Sequence, residues 1–210
     1  MFEIESKDYK ENEFGIVIDN FYRSPKKVQE LLLTLDPRPH KFDCFPSHNG
    51  KYFKDMRHEL YSSHITPVYN FLSKFSKQKP LGNGGFKRIN SNVYRMKKDP
   101  FNTYDTHYWW PHFDMGYTAI LYLNEEDDSG TNLYRSCDEE EEAKLQVMEH
   151  YEPWRPKEKY DLLHTFEPKF NRLVMFNGHK YCHGMNITSD LFTGKDARLN
   201  QVFFFDGEST

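Results

Sequence analysis

Three features are missing from this sequence of 210 residues: long apolar runs, paired cysteines and a strong excess of one charge. No stretch of about eighteen consecutive apolar residues occurs, so a membrane-spanning helix is not predicted. The opening segment, MFEIESKDYKENEF, is charged and lacks the apolar core of a secretory signal. The net charge is only −4, so the composition predicts no strong non-specific attraction to nucleic acid.

Cysteine is rare, and its three copies form no recognisable pair or metal-binding motif. Cys44, Cys137 and Cys182 have no C-x-x-C spacing, and an odd number cannot pair completely within one chain. Together with the missing secretory signal, this usage predicts a protein of the reducing cytoplasm. The sequence does not indicate an oligomeric state.

Aromatic residues, by contrast, are abundant: 18 Phe and 14 Tyr contribute to an aromatic fraction of 17%. Such a composition argues against disorder and favours a strand-rich interior. The length suits one domain with a complete hydrophobic core. We therefore predict a single domain over residues 1–210, in the mainly β (α+β) class.

Residues 1–85 have a helical pattern and are predicted to support the rest of the domain. Ser24 is predicted as an N-cap, because Pro25 suits the first position of a helix. The apolar side chains that follow recur with a helical period at Val28, Leu31, Leu32 and Leu35. A second helix is predicted to begin at Thr66-Pro67, with one apolar face made by Val68, Phe71, Leu72 and Phe75. The segment KPLGNGG at 79–85 then ends the helical pattern.

Residues 86–206 have the pattern of a β domain. Short segments rich in β-branched and aromatic residues alternate with turn signals, which is typical of an antiparallel sandwich or barrel. The predicted strands lie near residues 87–96, 117–124, 131–135, 171–176 and 198–205.

One segment, residues 136–166, interrupts this series of strands. Ser136 and Glu139 form a capping-box pattern that predicts a helix through DEEEEAKLQVMEH. The next stretch, HYEPWRPKEKY, is aromatic and contains proline, so it is predicted to be a loop at the rim of the barrel. Two interpretations are open: a lid whose Trp154 and Tyr160 cover a substrate, or a solvated excursion of the surface.

The pattern with the clearest chemical meaning is H-x-D, within WWPHFDMGYTAILYLN. His112 and Asp114 are two residues apart, so on a strand both side chains leave the same face. An imidazole and a carboxylate on one face are two parts of the 2-His-1-carboxylate triad, which binds iron(II) and leaves positions open for other ligands. Alone, H-x-D is a weak signal, because a hydrogen-bonded His-Asp pair has the same spacing.

Two residues downstream make the pattern more specific. His183 lies 71 residues after His112 and follows an apolar segment that ends at Phe176. Arg198 begins the next predicted strand, RLNQVFFF, 15 residues later. An arginine at the start of an apolar strand is costly to bury unless an anion meets it, and a bidentate carboxylate would supply that anion. The order H-x-D, His, Arg therefore predicts a metal site together with a carboxylate site.

These residues resemble the iron(II)/2-oxoglutarate-dependent dioxygenases, especially their prolyl-hydroxylase-like branch. The resemblance covers residues 86–206. It implies a double-stranded β-helix (jelly-roll) core in which His112, Asp114 and His183 bind iron(II), while Arg198 binds the far carboxylate of 2-oxoglutarate. The implied cofactors are iron(II), 2-oxoglutarate as co-substrate, and O2.

Further positions can be compared with the family. Tyr94, in NVYRM, is similar to the strand tyrosine whose hydroxyl helps to bind 2-oxoglutarate, and Thr131 is a second candidate for that contact. The sequence SGT is similar to the family's Gly-Gly-Thr turn, with Ser129 in place of the first glycine. Lys195 is an alternative to Arg198 as the carboxylate-binding residue, but it lies among turn residues, so Arg198 is preferred.

The activity that the resemblance implies is hydroxylation of a substrate C–H bond, with succinate and CO2 as co-products. The implied substrate is a small molecule or a peptide, such as a prolyl or other amino-acid group, and neither a membrane nor a nucleic acid is the expected partner. One alternative is an AlkB-like nucleic-acid demethylase, although the position of that branch's usual second arginine is Phe204 here. The other alternative is a non-catalytic jelly-roll binding module.

Overall fold

The three-dimensional structure is a computed structural model of the chain. It describes residues 1–35, 38–39, 55–59, 65–81, 85–89, 103–126, 128–136, 154–189, 191 and 198–206. The helices of the described residues are α1 (Pro25–Thr34), α2 (Thr66–Ser76) and α3 (Thr103–Thr106), and a 3-10 turn spans Lys157–Lys159. The strands are β1 (Lys10–Asn12), β2 (Gly15–Ile18), β3 (Arg38–Pro39), β4 (Asp55–Glu59), β5 (Gly85–Ile89), β6 (His107–His112), β7 (Tyr117–Tyr122), β8 (Gly130–Ser136), β9 (Trp154–Pro156), β10 (Tyr160–Phe166), β11 (Leu173–Asn177), β12 (Cys182–Asn186) and β13 (Arg198–Phe204).

Helices α1 and α2 form where the sequence predicts them. α1 begins at Pro25, directly after Ser24, because the fixed φ of proline suits the first turn and its missing N–H is not needed there. α2 begins at Thr66-Pro67 in the same way. The apolar stripes of both helices share one core with the larger sheet, and this core includes Val28, Leu32, Val68, Leu72, Ala119, Leu121, Leu173 and Phe203.

The strands form two antiparallel sheets in the part of the chain that the structure describes. The larger sheet has the order β1-β2-β11-β7-β13-β5-β4-β3, and the smaller has the order β10-β8-β12-β6-β9. From β5 onwards the chain passes repeatedly between them: β5, β7, β11 and β13 lie in the larger sheet, and β6, β8, β10 and β12 in the smaller. Two facing antiparallel sheets built in this way are a jelly roll. The predicted double-stranded β-helix core with N-terminal supporting helices is therefore confirmed.

A second apolar cluster fills the space between the two sheets. Successive side chains of a strand point to opposite faces, so alternate residues contribute to it. Its buried members are Ile120, Tyr122, Leu133, Phe166, Val174, Phe176 and Val202. The intervening residues of β7, β11 and β13 face the helices instead. Each core strand thus has an inner face, and the polar residues on the inner faces form the candidate site.

Most predicted strands are found close to their expected positions. Those near 117–124, 131–135, 171–176 and 198–205 correspond to β7, β8, β11 and β13. β5 covers the start of the strand predicted near 87–96, and the remainder of that prediction lies outside the described residues.

The interpretation of residues 136–166 as an excursion from the barrel is wrong for its second half. β9 and β10 are strands of the smaller sheet, paired with β6 and β8. Trp154 and Tyr160 are buried, so they do not stand exposed as a lid over a substrate. A bulge between Leu162 and His164 disrupts the period of two by which β10 would have been recognised. The helix predicted for the first half lies outside the described residues.

Two expectations from composition concern cysteine and membranes. Cys182 is a free, buried thiol, whereas Cys44 and Cys137 lie outside the described residues. Among the helices that the structure describes, none combines the length and the apolar character needed to cross a membrane.

Candidate active site

Three predicted metal ligands, His112, Asp114 and His183, lie together at one end of the barrel interior. One potential ligand atom from each residue lies within 4.8 Å of the other two. The His183 Nε2 atom is 3.1 Å from Asp114 Oδ2, and the His112 Nε2 atom is 3.9 Å from Asp114 Oδ1. Two imidazoles and one carboxylate at these distances form a 2-His-1-carboxylate group of the kind that binds iron(II).

Strand register brings the two histidines together. In the pairing of β12 with β6, His183 lies directly opposite His112, so both imidazoles leave the same inner face of the smaller sheet. Their ring centroids are 4.4 Å apart. Since 71 residues separate them in sequence, their proximity depends entirely on this register.

Asp114 reaches the site by a different route from the one predicted. β6 ends at His112, so the two residues of the H-x-D motif do not lie on one strand, and that part of the prediction is wrong. The backbone N–H of Asp114 donates to the carbonyl of Gly178 at 3.0 Å, which attaches this segment to the turn after β11. Gly178 is required there, because a Cβ atom would lie 2.9 Å from both Asp114 Cβ and Thr118 Oγ1.

Both imidazoles are oriented by the same hydrogen-bonding pattern. The Nδ1 atom of His112 lies 2.7 Å from the carbonyl of Trp110, and the Nδ1 atom of His183 lies 3.1 Å from the carbonyl of Tyr181. A carbonyl only accepts, so in both rings Nδ1 carries a proton and donates it to that carbonyl. Each Nε2 is thereby directed toward Asp114. Such partners fix the tautomer and the ring orientation of a metal-binding histidine.

The Asp114 carboxylate is held in its charged form. Partial burial opposes its ionisation, but the attraction and hydrogen bond of His183, the attraction of His112 and a hydrogen bond from the Thr118 hydroxyl outweigh that effect. They hold the pKa of the Asp114 carboxyl well below its usual range. An ionised carboxylate is the form in which aspartate binds a metal.

Gly184 allows β6 to approach β12 next to the two histidines. A Cβ atom at Gly184 would lie 2.3 Å from the carbonyl oxygen of Trp109 and 3.0 Å from that of Trp110. The pairing shifts register between His183 and Met185, and Trp110 has a left-handed φ of 52°. Gly184 therefore accommodates the bulge whose Trp110 carbonyl orients His112.

We expect Gly184→Ala to impair metal binding, because the new methyl group must displace the Trp109–Trp110 backbone. The free energy of unfolding should fall by about 1–3 kcal/mol, the usual effect of overpacking. Affinity for Mn(II), measured by calorimetry, should fall on the order of tenfold, as for loss of an outer-shell partner. Cys182→Ala is the control, because Cys182 lies on the same strand but its side chain packs with Tyr134 and Tyr160. Equal metal affinities in the two variants would contradict this role of Gly184.

A second polar group lies deeper between the sheets, around Arg198 on β13. Arg198 is 3% exposed, and its Nε–H donates to the carbonyl of Ser129 at 2.7 Å. Its guanidinium carbon lies 5.2 Å from the centre of the Tyr122 ring, and the Tyr122 hydroxyl donates to Thr131 Oγ1 at 2.8 Å. β7, β8 and β13 each contribute side chains to this group.

Arg198 lacks an anionic partner among the described residues. No carboxylate of those residues forms an ion pair with it, and its buried Nη2 atom has no hydrogen-bond acceptor there. Burial lowers the pKa of the guanidinium, yet arginine remains charged in proteins. A buried, charged donor without an acceptor is costly unless a ligand supplies one. The donor set of Arg198 therefore fits a carboxylate ligand.

The metal-binding group and Arg198 both contact the inner face of β7. On β7, Thr118, Ile120 and Tyr122 share this face: Thr118 contacts Asp114, and Tyr122 contacts Arg198. The Cα atoms of residues four apart on a strand are separated by about 13 Å. The side chains between them are apolar and include Ile120, Leu133, Phe166, Phe176 and Val202. An elongated ligand with a metal-chelating end and a distant carboxylate fits this arrangement.

Three further site residues were predicted from the sequence: Thr131, Tyr94 and Lys195. Thr131 is buried beside Arg198 and accepts the Tyr122 hydrogen bond. Its contact with 2-oxoglutarate stays a prediction. Tyr94 and Lys195 lie outside the described residues.

Two residues of the site, Thr118 and Tyr122, were not predicted from the sequence, although alternation along TAILY places both on the same face as Ile120. Their neighbours depend on strand register, which the sequence did not specify.

Comparison with known proteins gives one family and several similar structures. The family described as "Family of unknown function (DUF6445)" matches residues 2–200 of the chain. No curated protein matches it.

Three of the similar solved structures are from Burkholderia pseudomallei, Pseudomonas putida and Phytophthora capsici. A 2OG-Fe(II) oxygenase family oxidoreductase from Burkholderia pseudomallei is 9% identical, with a TM-score of 0.46 over 89% of this chain and 80% of that one. A prolyl-4-hydroxylase from Pseudomonas putida is 11% identical, with a TM-score of 0.43 over 92% of each chain. A prolyl 4-hydroxylase from Phytophthora capsici is 14% identical, with a TM-score of 0.42 over 97% of this chain and 70% of that one.

Proposed function

The chain belongs to the DUF6445 family, and we propose that it is an iron(II)- and 2-oxoglutarate-dependent dioxygenase that hydroxylates a substrate C–H bond. One observation carries the proposal. A 2-His-1-carboxylate group and a buried arginine, which has no anionic partner among the described residues, both contact the inner face of β7 in a jelly-roll barrel. The first group fits iron(II), and the second fits the far carboxylate of 2-oxoglutarate.

In this proposal the site residues bind and orient, while the cofactors supply the oxidising chemistry. When bound, the iron(II) and 2-oxoglutarate would supply the oxidising chemistry, in which O2 is reduced, 2-oxoglutarate is converted to succinate and CO2, and the substrate is hydroxylated. His112, Asp114 and His183 would hold the metal on one side and leave its other positions open. Arg198 would fix the co-substrate by its far carboxylate. The apolar side chains between these groups would exclude water from the reacting atoms.

The order of the two groups along the barrel supports a defined orientation of the co-substrate. Arg198 is held by the Ser129 carbonyl and lies over the Tyr122 ring, so its position does not depend on the ligand. A guanidinium held in place binds a carboxylate in one geometry, because its donors form a rigid fork. The keto acid end would then be directed toward the metal-binding residues.

We also propose that residues 1–210 form one domain, in which residues 1–85 support a core at 86–206. Helices α1 and α2 share a hydrophobic core with β2, β7, β11 and β13, which supports this organisation. Since the inner face of β7 carries Thr118 and Tyr122, helix packing on the outer face would stabilise the strand that links both parts of the site.

The activity can be tested by measuring succinate after incubation with iron(II), 2-oxoglutarate and O2. The substrates tested should include peptides, free amino acids and methylated oligonucleotides. We expect succinate formation that requires iron(II) and increases with one substrate class, accompanied by a mass gain of one oxygen in that substrate. Demethylated oligonucleotide as the main product would support the AlkB-like alternative. Metal and 2-oxoglutarate binding without any turnover would support the non-catalytic module.

A further inference from the structure

We propose that Asp128 is a positioning residue for the co-substrate carboxylate and acts through Ser129 on Arg198. This inference rests on the proposed function and extends it to a residue outside the predicted site. Asp128 lies in the connection between β7 and β8 and is not one of the three residues grouped as metal ligands.

The Asp128 carboxylate joins two connections of the barrel. Its Oδ1 atom accepts the backbone N–H of Ser129 at 2.6 Å and the hydroxyl of Thr188 at 2.9 Å. Its Oδ2 atom accepts the hydroxyl of Ser189. Thr188 and Ser189 follow β12, which carries His183. One side chain therefore holds the connection before β8 against the segment after β12.

These contacts matter because Ser129 has an unfavourable backbone conformation. Its φ is 62°, in the left-handed region that residues other than glycine rarely adopt. The hydrogen bond from the Ser129 N–H to Asp128 ties this residue to a carboxylate that Thr188 and Ser189 also hold, and so stabilises that conformation. The SGT turn of this chain, which has serine where the similar Gly-Gly-Thr turn has its first glycine, thus depends on the preceding carboxylate.

The conformation of Ser129 determines the direction of Arg198. The Ser129 carbonyl accepts the Nε–H of Arg198 at 2.7 Å, and Ser129 is only 2% exposed. A guanidinium is planar, so fixing Nε and holding the guanidinium carbon over the Tyr122 ring also directs the Nη atoms. Nη2 is the atom without an acceptor among the described residues. Asp128 therefore orients, through Ser129, the Nη2 donor of Arg198 that would bind the far carboxylate of the co-substrate.

The negative charge of Asp128 also affects the Arg198 guanidinium. Burial lowers the pKa of the Arg198 guanidinium, and the negative charge of Asp128 opposes that effect without forming an ion pair. An anion in direct contact would neutralise Arg198 and compete with a ligand. Asp128 instead stabilises the positive charge of Arg198 without direct contact, and the Nη2 donor remains available to a ligand.

The test measures binding rather than turnover. 2-Oxoglutarate and pyruvate are titrated by calorimetry into Mn(II)-loaded protein, since pyruvate has the chelating 2-oxo acid end but no second carboxylate. We expect Asp128→Ala to weaken 2-oxoglutarate binding on the order of tenfold, as for other outer-shell residues, and to leave pyruvate binding unchanged. Asp128→Asn keeps an acceptor for the Ser129 N–H and should recover part of the affinity.

Asp161→Ala serves as the matched control, because Asp161 forms an exposed ion pair with Arg135 on the outside of the site. It should leave both affinities unchanged. If Asp128→Ala does not fold, the Asp128→Asn protein tests the same selective loss at smaller size. Unchanged 2-oxoglutarate affinity, or equal losses for both acids, would overturn the role of Asp128. Absence of 2-oxoglutarate binding in the wild-type protein would instead refute the proposed function.

Discussion

His183→Ala is expected to abolish specific metal binding at this site. His183 is 3% exposed, and its Nε2 atom lies nearer to Asp114 than does that of His112. Removing it leaves two ligands and deprives the Asp114 carboxylate of its closest partner. Loss of an outer-shell partner already costs about 10–100-fold in affinity, so loss of a ligand should exceed about 100-fold. The measurement is calorimetric titration with Mn(II), followed by the iron-dependent succinate assay.

A histidine close by provides the control for this variant. His179 lies in the turn just before β12, is exposed, and contacts its neighbours through its backbone N–H. His179→Ala should therefore keep wild-type metal affinity and activity. His112→Ala and Asp114→Ala should resemble His183→Ala, because each of them also removes one of the three ligands. Full metal affinity in the folded His183→Ala protein would show that the three residues do not form the metal site.

Arg198→Ala is expected to weaken 2-oxoglutarate binding by about 2–5 kcal/mol, the usual loss for a buried hydrogen-bonded charge pair. At about 1.4 kcal/mol per factor of ten, this is a Kd increase of about 30-fold to several thousand-fold. Metal affinity should change far less, because no ligand is removed. Thermal stability should fall as well, because the substitution removes the hydrogen bond from Nε to the buried Ser129 carbonyl. Both affinities can be measured by calorimetry on one preparation.

Two further variants test whether the carboxylate binds through the planar donors of Arg198 or through Lys195. Arg198→Lys keeps the positive charge but loses the planar fork and the Nε donor to Ser129, so it should recover only part of the affinity. Lys195→Ala tests the alternative that the sequence left open. A large loss in Lys195→Ala, with Arg198→Ala indistinguishable from wild type, would transfer the carboxylate-binding role to Lys195.

The sequence by itself determined those features that depend on local patterns. Helices α1 and α2 could be predicted because their apolar residues follow a helical period and each has proline at its first turn. β7, β11 and β13 could be predicted because they are continuous apolar segments between turns. The metal-binding residues could be proposed because H-x-D, a distal His and an Arg on the next strand form a specific order.

Strands with irregular periods could not be recognised in this way. β6 contains proline and two tryptophans, and a register shift in its pairing with β12 disrupts its alternation. β10 carries Asp161 and His164 and is bulged, so its pattern resembles a loop. A bulge changes which face each later side chain occupies, and this change follows from pairing with a neighbouring strand rather than from the strand's own composition.

The tertiary structure alone decided which residues meet. Arg198 contacts Ser129 and Tyr122 because β13 pairs with β7 while β8 lies across the barrel interior. The Asp128 carboxylate accepts hydrogen bonds from Thr188 and Ser189, which lie 60 and 61 positions later in the sequence. A strand's residues define its two faces, but a shift of one residue in register exchanges them. Contacts between strands therefore depend on the packing of the whole barrel, which no local pattern contains.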